Sequence, residues 1–306
     1  MSWTLADIPD LTGKRALVTG VTSGIGEATA LELARRGAEV ILGARSRSKL
    51  DKTVADIVAA VPDARLQCVI IDVSELASVR RAAAQASTFG PLDLLVNNAG
   101  VMATPYARTG DGFELQMATN YFGPFALTGL LLPQLVASGN GRVVTVASHA
   151  HRMARSAPLD DPRVQGGRYS RWDSYAKSKL ADLLFMYELD RRLREQELPV
   201  KVLAAHPGYA STHLVQTGVN AGGTKRHAEI MQGVFGLLGQ SAGDGALPTL
   251  MAATADLPGS TYVGPGGRGQ MRGLPKIVQT TKLARDRDAQ RKLWELSENA
   301  TGVRYP

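Results

Sequence analysis

Short, continuously apolar runs alternate with helix-length amphipathic segments along most of the chain. Such runs are typical of strands buried on both faces, and the segments between them can supply the right-handed crossovers of a parallel sheet. The pattern predicts a single α/β domain with a doubly wound parallel sheet of seven strands, flanked by helices. The predicted strands are Arg15–Thr19, Glu39–Leu42, Leu66–Ile71, Leu92–Val96, Arg142–Val146, Val200–Ala204 and Thr261–Val263, and the clearest helices are Ile25–Arg36, Lys49–Ala60 and Ser74–Ala86.

The first predicted strand leads into a glycine-rich turn, T-G-V-T-S-G-I-G at residues 19–26, just before the first helix. Glycines let the backbone turn tightly and approach a pyrophosphate, which can then lie at the helix N-terminus. In this strand–turn–helix position, the turn predicts a dinucleotide site. Its predicted contacts are Gly20, Thr22, Ser23, Gly24, Ile25 and Gly26.

Tyr175 and Lys179 are four residues apart in a segment that is predicted to be a long helix. This spacing places the phenol and the ammonium on the same face. A neighbouring ammonium favours the phenolate and lowers a phenol pKa from about 10 toward neutrality. The pair is therefore a candidate general acid/base, although the same spacing also occurs on ordinary solvated helix faces.

Charge and cysteine content argue against several other functions. The net charge of +7 is spread along the 306 residues without a long basic run, which disfavours nucleic-acid binding. The single cysteine, Cys68, excludes an internal disulfide, and the chain has neither a signal-peptide pattern nor a long apolar stretch. We therefore predict a cytoplasmic protein without a metal site. The histidines His149, His151, His206 and His213 are interpreted as polar loop residues near a site entrance.

Taken together, the motifs resemble those of the short-chain dehydrogenase/reductase family, whose glycine turn is T-G-x-x-x-G-x-G and whose active site contains Y-x-x-x-K. Other family motifs follow in the expected order. They are Asp72 and Val73 after the third strand, N-N-A-G at 97–100 with Asn98, Ala99 and Gly100, Asn120 in the next helix, Ser148 after the fifth strand, and Pro207, Gly208 and Thr212 after the sixth.

The resemblance implies a Rossmann fold and a hydride transfer between a nicotinamide and an alcohol or carbonyl. Tyr175 would exchange the proton, Ser148 would hydrogen-bond the reacting oxygen, and Lys179 would assist Tyr175 and hold the nicotinamide ribose. Asn120 would position a water molecule that links Lys179 to solvent. A regulatory or scaffold module that binds a dinucleotide without turnover is the alternative, but such proteins typically lose the Tyr or the Lys.

Three features resemble the retinol-dehydrogenase-like branch of the family. They are the long separation of Ser148 and Tyr175, the segment S-K-L-A-D-L-L-F after Tyr175, and the segment L-W-E-L-S-E-N-A-T-G-V at 293–303. Members of the family pair through the helix that carries the Tyr and the Lys. The resemblance therefore implies a homodimer or homotetramer, with a monomer as the alternative.

The end of the second strand predicts which dinucleotide binds. NAD enzymes place an acidic residue about 20 residues beyond the glycine turn, where it accepts hydrogen bonds from the ribose. Here that position is Ala44, and Arg45 follows. A guanidinium can pair with a 2′-phosphate, and Ser23 could add a hydroxyl, so NADP(H) is the predicted cofactor. The alternative is that Arg45 only begins the solvated turn of the next helix.

Within the single domain, 1–306, we predict a dinucleotide-binding core at 12–208, a substrate lid at 209–240 and a C-terminal helical extension at 281–306. The long polar loop at 149–172 and the lid are expected to line the pocket. Their apolar residues, Met153, Tyr209, Met231 and Phe235, favour a bulky substrate such as a retinoid, steroid or lipid-like carbonyl. The apolar stretch G-V-F-G-L-L-G at 233–239 leaves peripheral membrane contact open.

Overall fold

The structure, a computed structural model, describes residues 2–163, 168–209 and 240–306. One sheet of eight strands runs through it, in the order β3-β2-β1-β4-β5-β6-β7-β8. The strands are β1 Arg15–Thr19, β2 Glu39–Ala44, β3 Arg65–Ile70, β4 Leu94–Asn97, β5 Gly141–Val146, β6 Val200–Ala205, β7 Tyr262–Pro265 and β8 Pro275–Ile277.

Helices cover both faces of this sheet. The α-helices are α1 Gly24–Arg35, α2 Arg47–Ala60, α3 Leu76–Ser87, α4 Leu115–Met117, α5 Gly123–Ala137, α6 Arg171–Glu195, α7 Ala242–Thr254 and α8 Arg287–Thr301. A π-helical turn, Ala118–Phe122, joins α4 to α5. Short 3-10 helices lie at Leu5–Asp7, His149–Met153, Arg268–Gln270 and Leu283–Arg285.

The prediction of a doubly wound α/β domain is confirmed, and the seven predicted strands are all present. The predicted number of strands is corrected to eight, because β8 pairs antiparallel with β7 at the edge of the sheet. β8 has only three residues, and Lys276 and Ile277 are exposed. So short and exposed a strand gives no apolar run in the sequence.

Successive residues of the central strands point to opposite faces, as the pleat requires. Leu17 and Ile41 pack in the core beneath α3, α5 and α6, whereas Val18 and Leu42 pack in the core beneath α1, α2 and α7. Both faces of the sheet are therefore buried. Because β1 to β7 are parallel, their carboxyl ends meet at one edge, and the strand order reverses between β1 and β4. Ligands of such sheets bind at this reversal.

The C-terminal helix is part of the domain core. Trp294 on α8 packs against Phe125 on α5, with ring centroids 5.3 Å apart, and against Phe185 on α6. Tyr305 closes the cluster, 4.6 Å from Trp294. Among the described residues, no helix combines the length and the apolar character needed to cross a bilayer.

Candidate active site

The glycine turn joins β1 to α1 at the reversal point. Gly20 and Gly24 have φ angles of +73° and +64°, which L-residues with a Cβ rarely adopt. A Cβ on Gly20 would lie 2.8 Å from the Cα of Ala99, so the turn also presses against the loop after β4. Ser23 is the N-cap of α1, and its side chain makes no capping hydrogen bond. The first N–H groups of α1 are thus free of a side-chain cap, as an anion site requires.

Asn98 holds this turn in place. Its Nδ2 donates to the carbonyl of Thr19 at 2.7 Å, and the backbone N–H of Ala99 donates to Thr19 Oγ1 at 3.0 Å. The N-N-A-G segment therefore fixes the glycine turn through its side chain and its backbone. Gly100 lies beside the Asn120 side chain, where a Cβ would be 3.1 Å from Oδ1.

Asp72 and Val73 follow β3 at the same edge of the sheet. The Asp72 carboxylate accepts hydrogen bonds from the N–H and the hydroxyl of Ser74, at 2.9 and 2.6 Å. Val73 is buried, and its carbonyl packs against Gly123. The two residues thus border the edge where the glycine turn lies.

Tyr175 and Lys179 lie on α6, which is N-capped by Ser170. Tyr175 is 8% exposed, and the Lys179 ammonium donates to the Val146 carbonyl at 2.8 Å. Val146 is the last residue of β5, and Ser148 follows two residues later. The lysine therefore ties the helix that carries Tyr175 to the strand that leads into Ser148.

Ser148 caps the 3-10 helix that follows β5. Its Oγ accepts the N–H of Ala150 at 3.2 Å, and its carbonyl lies 2.7 Å from His151 Nδ1. This helix packs against α6. The backbone that positions Ser148 is thus fixed by its own cap and by a buried imidazole.

Asn120 lies in the π-helical turn between α4 and α5, a geometry that occurs often at functional sites. Its Oδ1 accepts the N–H of Val101, and its Nδ2 donates to the Val101 carbonyl and to Ser178 Oγ. The side chain joins the loop after β4 to α6. The water-positioning role predicted for Asn120 stays a prediction.

Sequence reasoning missed two polar residues of this site, Ser178 and Asp182. Ser178 is fully buried and donates to the Tyr175 carbonyl at 2.8 Å. Asp182 accepts from the Lys179 ammonium at 2.9 Å. The available signal was a single aspartate inside the apolar run L-A-D-L-L-F, which indicates a buried carboxylate that needs a partner.

Two of the histidines are buried core residues, which corrects the interpretation of them as polar loop residues. His206 is 0% exposed and lies between Gln270 Oε1, 3.2 Å from its Nε2, and the N–H of Gly208, 3.2 Å from its Nδ1. His151 is buried against Tyr262. Burial is the main cause that lowers the pKa of His206 to about 3 and that of His151 to about 4. His213 lies outside the described residues.

Pro207 and Gly208 follow β6 at the same edge. Gly208 has a φ of +69°, and a Cβ there would meet the Pro265 ring and the Met271 backbone. The carbonyl of Tyr209 accepts the N–H of Gln240, so the two ends of the predicted lid meet. Thr212, Met231 and Phe235 lie outside the described residues. Within the described ranges, no cluster of three or more His, Cys, Asp or Glu side chains could hold a metal ion.

Arg45 directly follows Ala44, the last residue of β2. It is exposed, and its guanidinium forms no hydrogen bond or ion pair with any described residue, whereas Arg47 is paired with Asp51 at 2.8 Å. Together with the glycine turn, which has no room for a Cβ at Gly20 or Gly26, and the uncapped start of α1, this cation fits a phosphate-bearing dinucleotide.

Comparison with known proteins places this arrangement in a family. The sequence pattern of the short chain dehydrogenases matches residues 14–159. Human retinol dehydrogenase 13 is 37% identical over 96% of this chain and 86% of its own length, and mouse polyprenol dehydrogenase is 38% identical over 97% and 86%. A crystal structure of a protein from Mycobacterium paratuberculosis is 40% identical, with a TM-score of 0.81 and full coverage of both chains.

The fold and the site define an oxidoreductase that uses a nicotinamide dinucleotide, NAD or NADP. The chain belongs to the short-chain dehydrogenase/reductase family, and within it to the retinol-dehydrogenase-like branch.

Proposed function

We propose that the protein is an NADP(H)-dependent oxidoreductase that interconverts an alcohol and a carbonyl, with Tyr175 as the general acid/base. The observation that carries this proposal is the position of Lys179. The lysine lies one turn after the buried Tyr175 and bonds the end of β5, the strand that continues to Ser148. A proton donor, a cation and a hydroxyl donor thereby belong to one connected unit.

The bound cofactor supplies a hydride donor or acceptor at its nicotinamide ring. Tyr175 gives its proton to the reacting oxygen in reduction and removes it in oxidation. Ser148 hydrogen-bonds the same oxygen, which develops negative charge in the transition state of reduction. Lys179 uses two of its three N–H groups within the protein, for Val146 and Asp182, and keeps one for the ribose.

The NADP preference rests on Ala44 and Arg45. Gly43, Ala44 and Arg45 at the end of β2 include no acid that would repel a 2′-phosphate. The Arg45 guanidinium, which is unpaired among the described residues, can pair with that phosphate. Ser23, whose hydroxyl does not cap α1, offers a second donor in the glycine turn.

A bulky apolar substrate is supported by four large apolar side chains that are exposed, three of them close in sequence to the site motifs. Met153 ends the 3-10 helix after Ser148, Trp172 stands one turn before Tyr175 with the rings 6.3 Å apart, and Tyr209 follows Gly208. Leu274 is the fourth. Two similar proteins are named for retinol and polyprenol, both apolar alcohols. These points support a retinoid, steroid or lipid-like substrate.

The test replaces Tyr175 by Phe and measures NADPH oxidation with a panel that includes retinal, steroid ketones and decanal. Loss of the proton donor should lower turnover by about 10² or more, while NADPH affinity should change little. Tyr187→Phe is the matched control, because Tyr187 is also on α6 but bonds Thr280. A Tyr175→Phe enzyme that keeps more than about a third of the activity, far above the acid/base scale, contradicts the assignment.

Cytoplasmic location and a homodimer or homotetramer stay predictions. One face of α6 is already covered by Trp294 and the rest of α8. A dimer formed through α6 would therefore have to use its remaining surface. Gel filtration with light scattering measures the assembly.

A further inference from the structure

Lys179 is held by a carboxylate buried on its own helix. Asp182 lies three residues later, and its Oδ2 is 2.9 Å from the ammonium. The Asp182 side chain is 1% exposed, and Lys179 is its only hydrogen-bond donor among the residues that the structure describes. The Val146 carbonyl accepts a second N–H of the ammonium. Asp182 and Val146 together fix the direction of the lysine side chain.

The other buried acids of α6 have a different role. Asp190 accepts the N–H of Val202 and the hydroxyl of Ser260, and so fastens α6 to β6 and the segment before β7. Glu188 pairs with two arginines that are partly exposed. Among the described residues, Asp182 bonds only within α6 and joins no second element. Because a buried carboxylate costs free energy, its position beside Lys179 calls for a role other than fastening the fold.

The charge of Asp182 acts on the core around it. It contributes to raising the pKa of Tyr121 on the π-helical turn and of Tyr262 on β7, although burial contributes most to both. Burial raises the pKa of Asp182 itself to about 6, against the opposite effect of Lys179. At neutral pH and above the carboxyl is therefore ionised, and it offsets part of the positive charge that Lys179 presents.

The following groups on the neighbouring elements do not change charge at neutral pH and above, where Asp182 is ionised. His151 and His206, with pKa values lowered mainly by burial to about 4 and about 3, are neutral wherever Asp182 is ionised. Arg152, on the 3-10 helix after Ser148, stays charged and donates to the Gln279 carbonyl. The Tyr121 and Tyr262 phenols stay protonated because their pKa values are raised.

We propose that Asp182 is a positioning residue, which orients Lys179 and sets how much positive charge the lysine presents to Tyr175. The pH at which the enzyme works is then fixed by Asp182 through Lys179. This inference rests on the proposed function of Tyr175 and Lys179. A neutral residue at 182 lets the full lysine charge act, which favours the phenolate of Tyr175.

The direct test measures tyrosinate formation by ultraviolet absorbance in the cofactor-free protein. The Asp182→Asn variant keeps the side-chain shape and removes the charge. Subtracting the titration of the same protein with Tyr175→Phe isolates the Tyr175 signal. The Tyr175 midpoint should fall by about 0.5 to 1 unit, the lower part of the range for a neighbouring charge. An unchanged midpoint would overturn the proposal.

A second readout is the pH profile of retinal reduction with NADPH. Reduction needs protonated Tyr175, so its alkaline limb should move to lower pH in Asp182→Asn by the same amount. Glu188→Gln, which also neutralises a buried acid of α6 but lies two turns away, should leave the profile in place. A loss of rate without a shift of the limb would make Asp182 only structural and overturn the proposal.

Asp182→Glu restores the charge and keeps the proposal open to refutation if Asp182→Asn does not fold. Its Tyr175 midpoint should stay within about 0.3 unit of the wild type, since the charge near the lysine is retained. A displacement of a full unit would refute the role of charge. An active Tyr175→Phe enzyme would instead refute the proposed function, whatever Asp182 does.

Discussion

Asn120 and Ser178 are joined by a hydrogen bond of 2.9 Å from Nδ2 to Oγ, and the Ser178 hydroxyl donates a hydrogen bond of 2.8 Å to the carbonyl of Tyr175. The π-helical turn is thus connected to the turn of α6 that carries Tyr175. Since Val101 binds both ends of the Asn120 amide, the loop after β4 belongs to the same network. Motion of Tyr175 relative to the loop is limited by these bonds.

The first prediction concerns Ser178→Ala. The change removes one acceptor from Asn120 and one donor from α6, and we expect kcat to fall about 3- to 10-fold through poorer alignment of Tyr175, with KM nearly constant. Steady-state kinetics measure this. Ser87→Ala removes a comparable helix hydroxyl, bonded to the Ala83 carbonyl on α3, and should leave kcat unchanged. An unaltered kcat in a folded Ser178→Ala enzyme would show that the network does not align Tyr175.

What the sequence could and could not predict follows from burial. Runs such as Arg15–Thr19 have consecutive apolar residues at their centre because β1 is buried on both faces, so the ends of these strands are predicted within a residue or two. The spacing of Tyr175 and Lys179 fixes their common face without knowledge of the fold. Ser178 and Asp182 differ: a polar residue on a helix is exposed by default. For Ser178, only the packing of the sheet and the π-helical turn onto α6 shows the burial. For Asp182, the apolar run around it indicates burial, but only the fold shows its bond to Lys179.

His206 illustrates the same limit. A histidine after a strand is read as a loop residue, yet β7 and the segment around Gln270 enclose it. Gly264 on β7 allows the ring to lie against the backbone, where a Cβ would collide with it. The glycine and the histidine are far apart in sequence, so only the parallel pairing of β6 with β7 brings them together.

The second prediction is a pH dependence of stability. The folded protein keeps His206 and His151 neutral down to pKa values of about 3 and about 4, whereas unfolded histidines bind protons below about 6.5. Their stabilising contribution is complete above that pH and is lost as the pH falls toward 4. Each group contributes up to about 1.4 kcal/mol per pH unit to this loss.

Asp182 has the opposite effect on the pH dependence of stability. Its pKa of about 6 is above its unfolded value of 3.8, so the folded state binds the extra proton as the pH falls between them. We expect urea unfolding of His206→Asn to lose stability less steeply than the wild type between pH 6.5 and 5, and that of Asp182→Asn more steeply. Parallel slopes for all three proteins would contradict the assignment of these pKa values.

The third prediction tests the docking of α8. Trp294 is buried against Phe125, Phe185 and Tyr305, and Arg192 lies 4.4 Å from the ring centroid. We expect Trp294→Ala to lower the free energy of unfolding by about 3 to 5 kcal/mol. Trp294→Phe should cost less, because the Trp294 Nε1 has no hydrogen-bond partner among the described residues.

Urea unfolding followed by circular dichroism measures both variants. Trp172→Ala is the matched control, because Trp172 is 40% exposed, and its stability should stay within about 0.5 kcal/mol of the wild type. If Trp294→Ala were equally mild, α8 would not be part of the cooperative core.

The last prediction is the cofactor preference, which depends on Arg45 after β2, whose guanidinium is unpaired among the described residues. Ala44 is buried, and its carbonyl accepts the N–H of Ile71, so the end of β2 is fixed and offers the ribose no acid. Arg45→Ala should weaken NADPH binding by roughly 1.5 to 3 kcal/mol, the range for a hydrogen bond to a charged group. NADH binding should hardly change, because NADH has no 2′-phosphate for Arg45 to pair with. Arg47→Ala is the matched control, since that guanidinium is already paired with Asp51. Isothermal titration calorimetry gives both affinities, and equal binding of NADH and NADPH by the wild type would refute the preference while leaving the role of Tyr175 intact.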